Sequence, residues 1–390
     1  MTRKCSSATS AAFRSVWPGS LFAVALLPLV AAAAQPGTGL PFEMRWVEGS
    51  CARCSAGWQL GETLFTSRSE AWAVGATGPV PGQEGMGARA LLHTGDGGHT
   101  WTEVPGTECY AVPPPIAFLD TKRGWTETCR GPELARVTLH TEDGGASWQD
   151  VTGALPVFPH ILDDDHWWGI DARPLFPQVN GRAWNRTLML TADAGRHWTK
   201  SPLPRGVGDF PTVKILSAST GWAGNVAGDE FVVFRTTDAG RTWDESRTRT
   251  PTKPAQLRDL FFIDPSRGWL IVDYSLRQGF NGEGSYVFST VDGGRTWTRV
   301  AIQAVAAQPA FWVRFLSESL GFIFVERGAS SSESSAADGP TLVYTSDGGK
   351  RWRVAAVPDP VVGCQAFQGD LLCSALSSGR RLAVLTIHPK

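Results

Sequence analysis

The chain has 390 residues, with 36 basic against 37 acidic side chains and a formal charge of −1. A balance this close to neutral lacks the electrostatic footprint of a nucleic-acid binder. No nucleic-acid partner is expected.

Residues 1–34 read as a signal peptide. Arg3, Lys4 and Arg14 form a basic start, residues 21–34 an apolar, alanine-rich stretch, and Ala32-Ala33-Ala34 before Gln35 fits a small-residue cleavage site. The apolar run is short for a membrane helix, and retention as an uncleaved anchor is the alternative. A secreted or periplasmic protein without a stable membrane span after cleavage is the expectation. Cleavage leaves 33 basic and 37 acidic residues, a net of −4. Residues 35–41 read as a linker, and 42–390 as a single domain.

A first strand is predicted around Met44-Arg45-Trp46-Val47. From residue 60 a unit repeats. The box T-x-D-x-G-x-x-W occurs six times, centred on Asp96, Asp143, Asp193, Asp238, Asp292 and Asp347. The steps between those aspartates are 47, 50, 45, 54 and 55 residues. Periods of this size mean a solenoid, a propeller or an array. Each box reads as a turn between two strands. The aspartate accepts hydrogen bonds from N–H groups one to three residues on, and the threonine hydroxyl assists. The glycine two residues after the aspartate tolerates positive φ. The box tryptophans Trp101, Trp148, Trp198, Trp243, Trp297 and Trp352 open the next strand and are expected to pack between blades.

Upstream of each box a second signature recurs: an apolar strand, a turn, then an aromatic residue, usually after glycine. The clear cases end in Gly124-Trp125, Gly221-Trp222, Gly268-Trp269 and Gly321-Phe322, with looser versions at Trp72 and Trp168. Each unit thus carries four short antiparallel strands, the content of one propeller blade. The six blades span roughly 60–106, 107–153, 154–203, 204–248, 249–302 and 303–357. The last thirty or so residues hold two or three more strands without a box. Pairing them with the N-terminal strand would complete a seventh blade and remove open edges. The predicted fold is therefore an all-β, seven-bladed β-propeller, with six blades plus terminal decoration as the alternative.

Six cysteines follow the signal: Cys51, Cys54, Cys109, Cys129, Cys364 and Cys373. An even number in an exported chain suggests disulfides. Gln368-Gly369 suits a two-residue hairpin turn, which places Cys364 opposite Cys373 at a non-hydrogen-bonded pair, about 4.5 Å between Cα atoms and within bridging range. The other four cannot be paired from sequence. Cys51-Ala-Arg-Cys54 lacks the context of a redox motif.

Propeller connectivity puts the boxes and the turns between first and second strands on one face. The long loops 77–89, 171–184, 275–285 and 328–340 fall on the other, where binding is expected. Three readings concern charge. The position three after each box aspartate (His99, Ala146, Arg196, Arg241, Arg295, Lys350) would form a basic rim on the box face. Asp163-Asp164-Asp165-His166 reads as a solvated turn, without the ligand spacing of a calcium loop. Arg247, Arg249, Lys253 and Arg258, with Arg173, Arg182 and Arg277 on long loops, are candidates for an anion or acidic-protein site. Catalytic residues, metal ligands and cofactor motifs are not predicted. Paired carboxylates for glycoside cleavage need only meet in space, so that chemistry stays open.

The boxes resemble Asp-boxes, also called bacterial neuraminidase repeats. The pairing of FLDTKRGW or FIDPSRGW with TVDGGRTW resembles the photosystem II stability/assembly factor-like family over about residues 60–357. That resemblance implies an exported seven-bladed propeller that binds protein partners without catalysis, its box aspartates structural. Sialidases, xyloglucanases and sortilin-type receptors also carry Asp-boxes. The sialidase Arg-Ile-Pro motif is missing, and the chain is short for a double propeller. The reading is a macromolecule-binding or assembly-factor-like scaffold with an unidentified protein or glycan partner. A sialidase-like glycoside hydrolase or glycan-binding propeller is the alternative.

Overall fold

The boxes and the signature before them set the strand boundaries. The computed structural model describes residues 39–51, 59–80, 83–107, 115–130, 135–171, 187–207, 212–274, 284–302, 309–325, 341–358, 361–376 and 382–390. The signal peptide, Cys54, Cys109, Arg173, Arg182 and Arg277 lie outside the described residues. The chain opens with β1 (Phe42–Glu48). Blade 1 is β2 (Gln59–Phe65), β3 (Ala71–Val80), β4 (Gln83–Thr94) and β5 (Thr102–Glu103). Blade 2 is β6 (Ile116–Phe118), β7 (Gly124–Arg130), β8 (Ala135–Thr141) and β9 (Gln149–Asp150). Blade 3 is β10 (His160–Ile161), β11 (Trp167–Asp171), β12 (Thr187–Thr191) and β13 (Thr199–Pro202). Blade 4 is β14 (Thr212–Ile215), β15 (Gly221–Ala227), β16 (Glu230–Thr236) and β17 (Asp244–Arg249). Blade 5 is β18 (Pro254–Phe262), β19 (Gly268–Tyr274), β20 (Gly284–Thr290) and β21 (Thr298–Val300). Blade 6 is β22 (Ala310–Phe315), β23 (Gly321–Val325), β24 (Thr341–Thr345) and β25 (Arg353–Ala356). The last strands are β26 (Val361–Phe367), β27 (Asp370–Leu376) and β28 (Leu382–Pro389).

Each sheet is four-stranded and antiparallel, and there are seven of them. The seventh joins the chain ends in the order β1-β28-β27-β26, with Phe42 opposite Pro389 and Glu48 opposite Ala383. The seven-bladed propeller is therefore the observed fold, with one blade closed by both termini. First strands approach one another around the axis: β2 meets β6, β6 meets β10, β14 meets β18, β18 meets β22, β22 meets β26, and β26 meets β2.

Burial follows the radius. Middle strands lie between two neighbouring blades, so both faces are covered and the sequence runs apolar without alternation. Gly268 to Asp273 of β19 and all of β23 are buried. The outermost β17 (DESRTR) is exposed or half-buried throughout. Charged outer strands also discourage edge-to-edge association.

The aromatic of the second signature forms the wedge between blades. Trp72 of blade 1 stacks on Phe118 of blade 2 at 4.5 Å, and Trp148 stands edge-on to both. Trp222 stacks on Phe262 at 3.5 Å, with Trp297 edge-on to Phe262. Trp269 stacks on Phe315 at 3.5 Å, with Trp352 edge-on to Phe315. The preceding glycine has a steric reason. A Cβ on Gly124 would lie 2.4 Å from the Phe118 ring, and one on Gly321 2.4 Å from Phe315. Only a bare backbone lets the first-strand ring lie flat across its own hairpin.

Blade 3 departs from this pattern. Trp168 occupies the wedge register opposite Leu190, yet it is half-buried and stacks on His160 at 4.2 Å. Trp167 takes the glycine position and is the buried indole. The first-strand phenylalanine is replaced by Ile215 in blade 4.

Cys364 and Cys373 are bridged, with Cα atoms 4.1 Å apart in the predicted register. Gln368 and Gly369 both have positive φ, 48° and 83°, the conformation of a type I′ hairpin turn. Cys51 and Cys129 are also disulfide-bonded.

Candidate functional site

In every box the aspartate is consumed by the turn. Asp143 accepts hydrogen bonds from the Thr141 hydroxyl (2.9 Å), the Ser147 N–H (2.9 Å) and the Ser147 hydroxyl (2.6 Å). The N–H lies four residues on, one more than the sequence argument allowed, because two left-handed residues tighten the loop. Gly144 and Gly145 have φ of 70° and 82°. In two boxes alanine takes the first of these positions, Ala194 at 55° and Ala239 at 62°, which costs about 1–2 kcal/mol each. The threonine hydroxyl in turn accepts from the glycine N–H, as with Gly98 and Thr94 at 3.0 Å. Asp96, Asp193, Asp238, Asp292 and Asp347 repeat the arrangement.

These bonds hold the carboxylates ionised. The Ser147 hydroxyl, the Ser147 N–H and the Thr141 hydroxyl bring the Asp143 pKa down to about 2. The Thr242 hydroxyl and N–H do the same for Asp238. The box tryptophans close the loop from the far side. The indole N–H of Trp198, Trp243, Trp297 and Trp352 donates to the carbonyl of its own box glycine at 3.0–3.1 Å. Trp101 and Trp297 are buried, while Trp148, Trp198, Trp243 and Trp352 are half-buried. Each box also docks on the turn between its blade's first two strands, as in Gly144 N–H to Lys122 carbonyl and Gly293 N–H to Ser266 carbonyl. Boxes and these turns therefore share one face.

The charged candidates divide by location. His99, Arg196, Arg241, Arg295 and Lys350 are exposed on the box loops. Asp163 caps its own turn, accepting from the N–H groups of Asp165 and His166, and pairs with the His166 ring at 2.9 Å. Arg247 and Arg249 stand at the end of β17, where Glu230 and Glu245 neutralise them. Arg258 is on the inner strand β18 and pairs with Asp273, which is fully buried and also accepts from Gln256 and Ser285.

A convergence that sequence reasoning missed lies at the axis. The residue before each first-strand wedge position is equivalent from blade to blade: Leu64, Ala117, His160, Lys214, Phe261 and Arg314. All sit one residue from the first turn, near the box-bearing end of the propeller. Lys214 Nζ lies 5.8 Å from the Phe261 ring centre, and the Arg314 guanidinium carbon 5.6 Å from the same ring. Arg314 is also 5.2 Å from the Trp312 ring. Asp259 accepts from Arg314 Nη1 at 2.6 Å and from the Val313 N–H at 2.9 Å. Desolvation, then repulsion from Arg314, lowers the Lys214 pKa despite attraction from Asp259. The signal was present in sequence as the residue preceding each FLD-, ILS- or FLS-like run.

A second opening follows from the irregular third blade. With Trp168 laid on His160, the atoms nearest to Gly240 are those of Ser201 and Leu188 rather than an indole. A cleft of about 510 Å³ opens between blades 3 and 4 on the box face, walled by Leu162, Trp167, Leu190 and Ala239 with Lys200 and Arg241 among its charged lining. Among the described residues there is no cluster of side chains fit to hold a metal ion, and no helix long and apolar enough to cross a membrane.

No protein family description matches the chain, and no curated protein matches it. Solved structures do. YCF48 bound to D1 peptide is similar with a TM-score of 0.56 and 17% identity, covering 90% of this chain and 96% of that one. YCF48 from Cyanidioschyzon merolae gives 0.56 and 16%, covering 88% and 99%. The NanB sialidase from Streptococcus pneumoniae also aligns, at a TM-score of 0.41 and 11% identity over 90% of this chain and 71% of that one, too distant to carry an argument. The chain thus shares its propeller fold with YCF48, and its boxes keep their resemblance to the photosystem II stability/assembly factor-like family.

Proposed function

We infer that this protein is an exported, non-enzymatic propeller that binds another protein. The carrying observation is the shared fold, over nearly the whole of both chains, with a propeller whose structure holds a peptide of a different protein. The site chemistry agrees with binding. The box carboxylates are spent on turns. The inner-strand carboxylates Asp259 and Asp273 are tied to Arg314 and Arg258. The axial side chains beside them, Lys214, Phe261, Trp312 and Arg314, are cationic and aromatic, suited to an acidic segment. Export rests on the N-terminal signal pattern, and sequencing the protein from an envelope fraction should find Gln35 as its first residue.

Two measurements test the reading. Crosslinking capture with residues 35–390 from the native envelope should enrich the same protein repeatedly, and a heat-denatured control should not. Fluorogenic sialosides and aryl glycosides should remain uncleaved. Turnover that tracks the purified chain would overturn the scaffold reading in favour of a glycosidase.

A further inference from the structure

Three first strands bring an unbalanced charge to the axis. β14 contributes Lys214, β18 contributes Asp259 and Phe261, and β22 contributes Trp312 and Arg314. Arg258 and Asp273 neutralise each other beside them. Asp259 is engaged by Arg314 and the Val313 N–H. Among the described residues the Lys214 ammonium has no hydrogen-bond or ion-pair partner, although it is half-buried. Two cations therefore share one carboxylate, and one positive charge is left over on the face of the Phe261 ring. A half-buried cation without an anion is costly, and a second cation nearby raises that cost. The arrangement persists because the β-sheet register fixes where both side chains start.

We propose that the box-side end of the axis holds a single oxyanion between Lys214 and Arg314, over the Phe261 ring. Lys214 supplies a point charge with rotatable donors. Arg314 uses Nη1 on Asp259 and keeps other donors of its planar fork for the ligand. The Phe261 and Trp312 rings beside the two cations leave room for a small oxyanion such as a carboxylate or sulfate. The anion comes either free from solution or as an acidic side chain of a protein. This site stands apart from the scaffold reading: a failed partner capture would leave it untouched.

Lysine dimethylation with ¹³C makes each lysine visible by NMR. The chain 35–390 would be titrated with sodium acetate, sodium sulfate and acetyl-Gly-Glu-Gly-amide, with sodium chloride holding ionic strength constant. The Lys214 signal, identified by its loss in Lys214→Gln, should shift and saturate while those of Lys122 and Lys350 stay. Arg314→Lys keeps the charge pair with Asp259 but loses the fork, and should weaken binding at least about tenfold with an unchanged melting temperature. If acetate or sulfate binds as tightly as the peptide, the site takes a free anion. A peptide preference of about tenfold or more assigns it to a protein carboxylate, and either result upholds the site. An unsaturable shift, or one common to all lysines, overturns it.

Discussion

Each box aspartate is a small pH-sensitive lock. Its folded pKa lies below the unfolded value of about 3.9. The resulting stability is complete above that unfolded value and is lost as pH falls through the folded one. For Asp143 and Asp238, both held to about 2, the window runs from about pH 4 to about pH 2. Guanidinium denaturation midpoints should therefore be flat near neutrality and drop within that window. Asp143→Asn should lower the midpoint at pH 7 and flatten the acid slope. A variant as stable as the parent at both ends would remove the lock from the account. The turn itself was legible in sequence, since threonine, aspartate and glycine at that spacing have few other uses. The bond to the residue four on was not, because it depends on two successive left-handed residues.

At the scale of the element, the second-signature indoles Trp72 and Trp222 are fully buried, whereas four box indoles staple their own loops and Trp101 alone among the box indoles is buried as deeply. Trp222 has no exposed surface, stacks on Phe262 and donates to the Gly293 carbonyl at 2.8 Å. Trp222→Ala should cost about 3–5 kcal/mol, the range for large aromatic deletions in a core. Trp243→Ala removes a half-buried ring and should cost less. Equal losses in urea melts would refute the distinction between wedge and staple. The sequence marked both classes of tryptophan but could not rank them, because burial depends on which blade face the register turns toward the neighbour. Blade 3 shows how fine that margin is: with Trp167 in the glycine position, the wedge indole lies on His160 and a cleft opens.

For the whole molecule, closure falls on the blade built from both ends. Phe42 of β1 packs edge-on against Phe322 and Tyr344 of blade 6, and Gln365 of β26 reaches the Phe65 N–H and carbonyl of blade 1 at 2.9 and 3.2 Å. A chain starting at Gly49 lacks β1 and exposes the apolar β28 as an edge, a template for self-association. Light scattering should then show oligomers, reversed by adding a peptide of residues 39–48. A monomer with an unchanged melting temperature would show that closure lies elsewhere.

The sequence alone determined the repeat, its six boxed units and the Cys364–Cys373 bridge, and it favoured a seventh blade from the terminal strands over terminal decoration. The first three follow from local spacing: turn chemistry, strand period and a two-residue hairpin act within a few residues of chain, whereas the pairing of β1 with β28 joins the two ends. Only the tertiary structure decided which side chains meet at the axis. Lys214, Phe261 and Arg314 come from three different blades, and nothing local ties them together. Radial closure brings equivalent positions to one level, so a residue unremarkable in its own strand becomes part of a charged site.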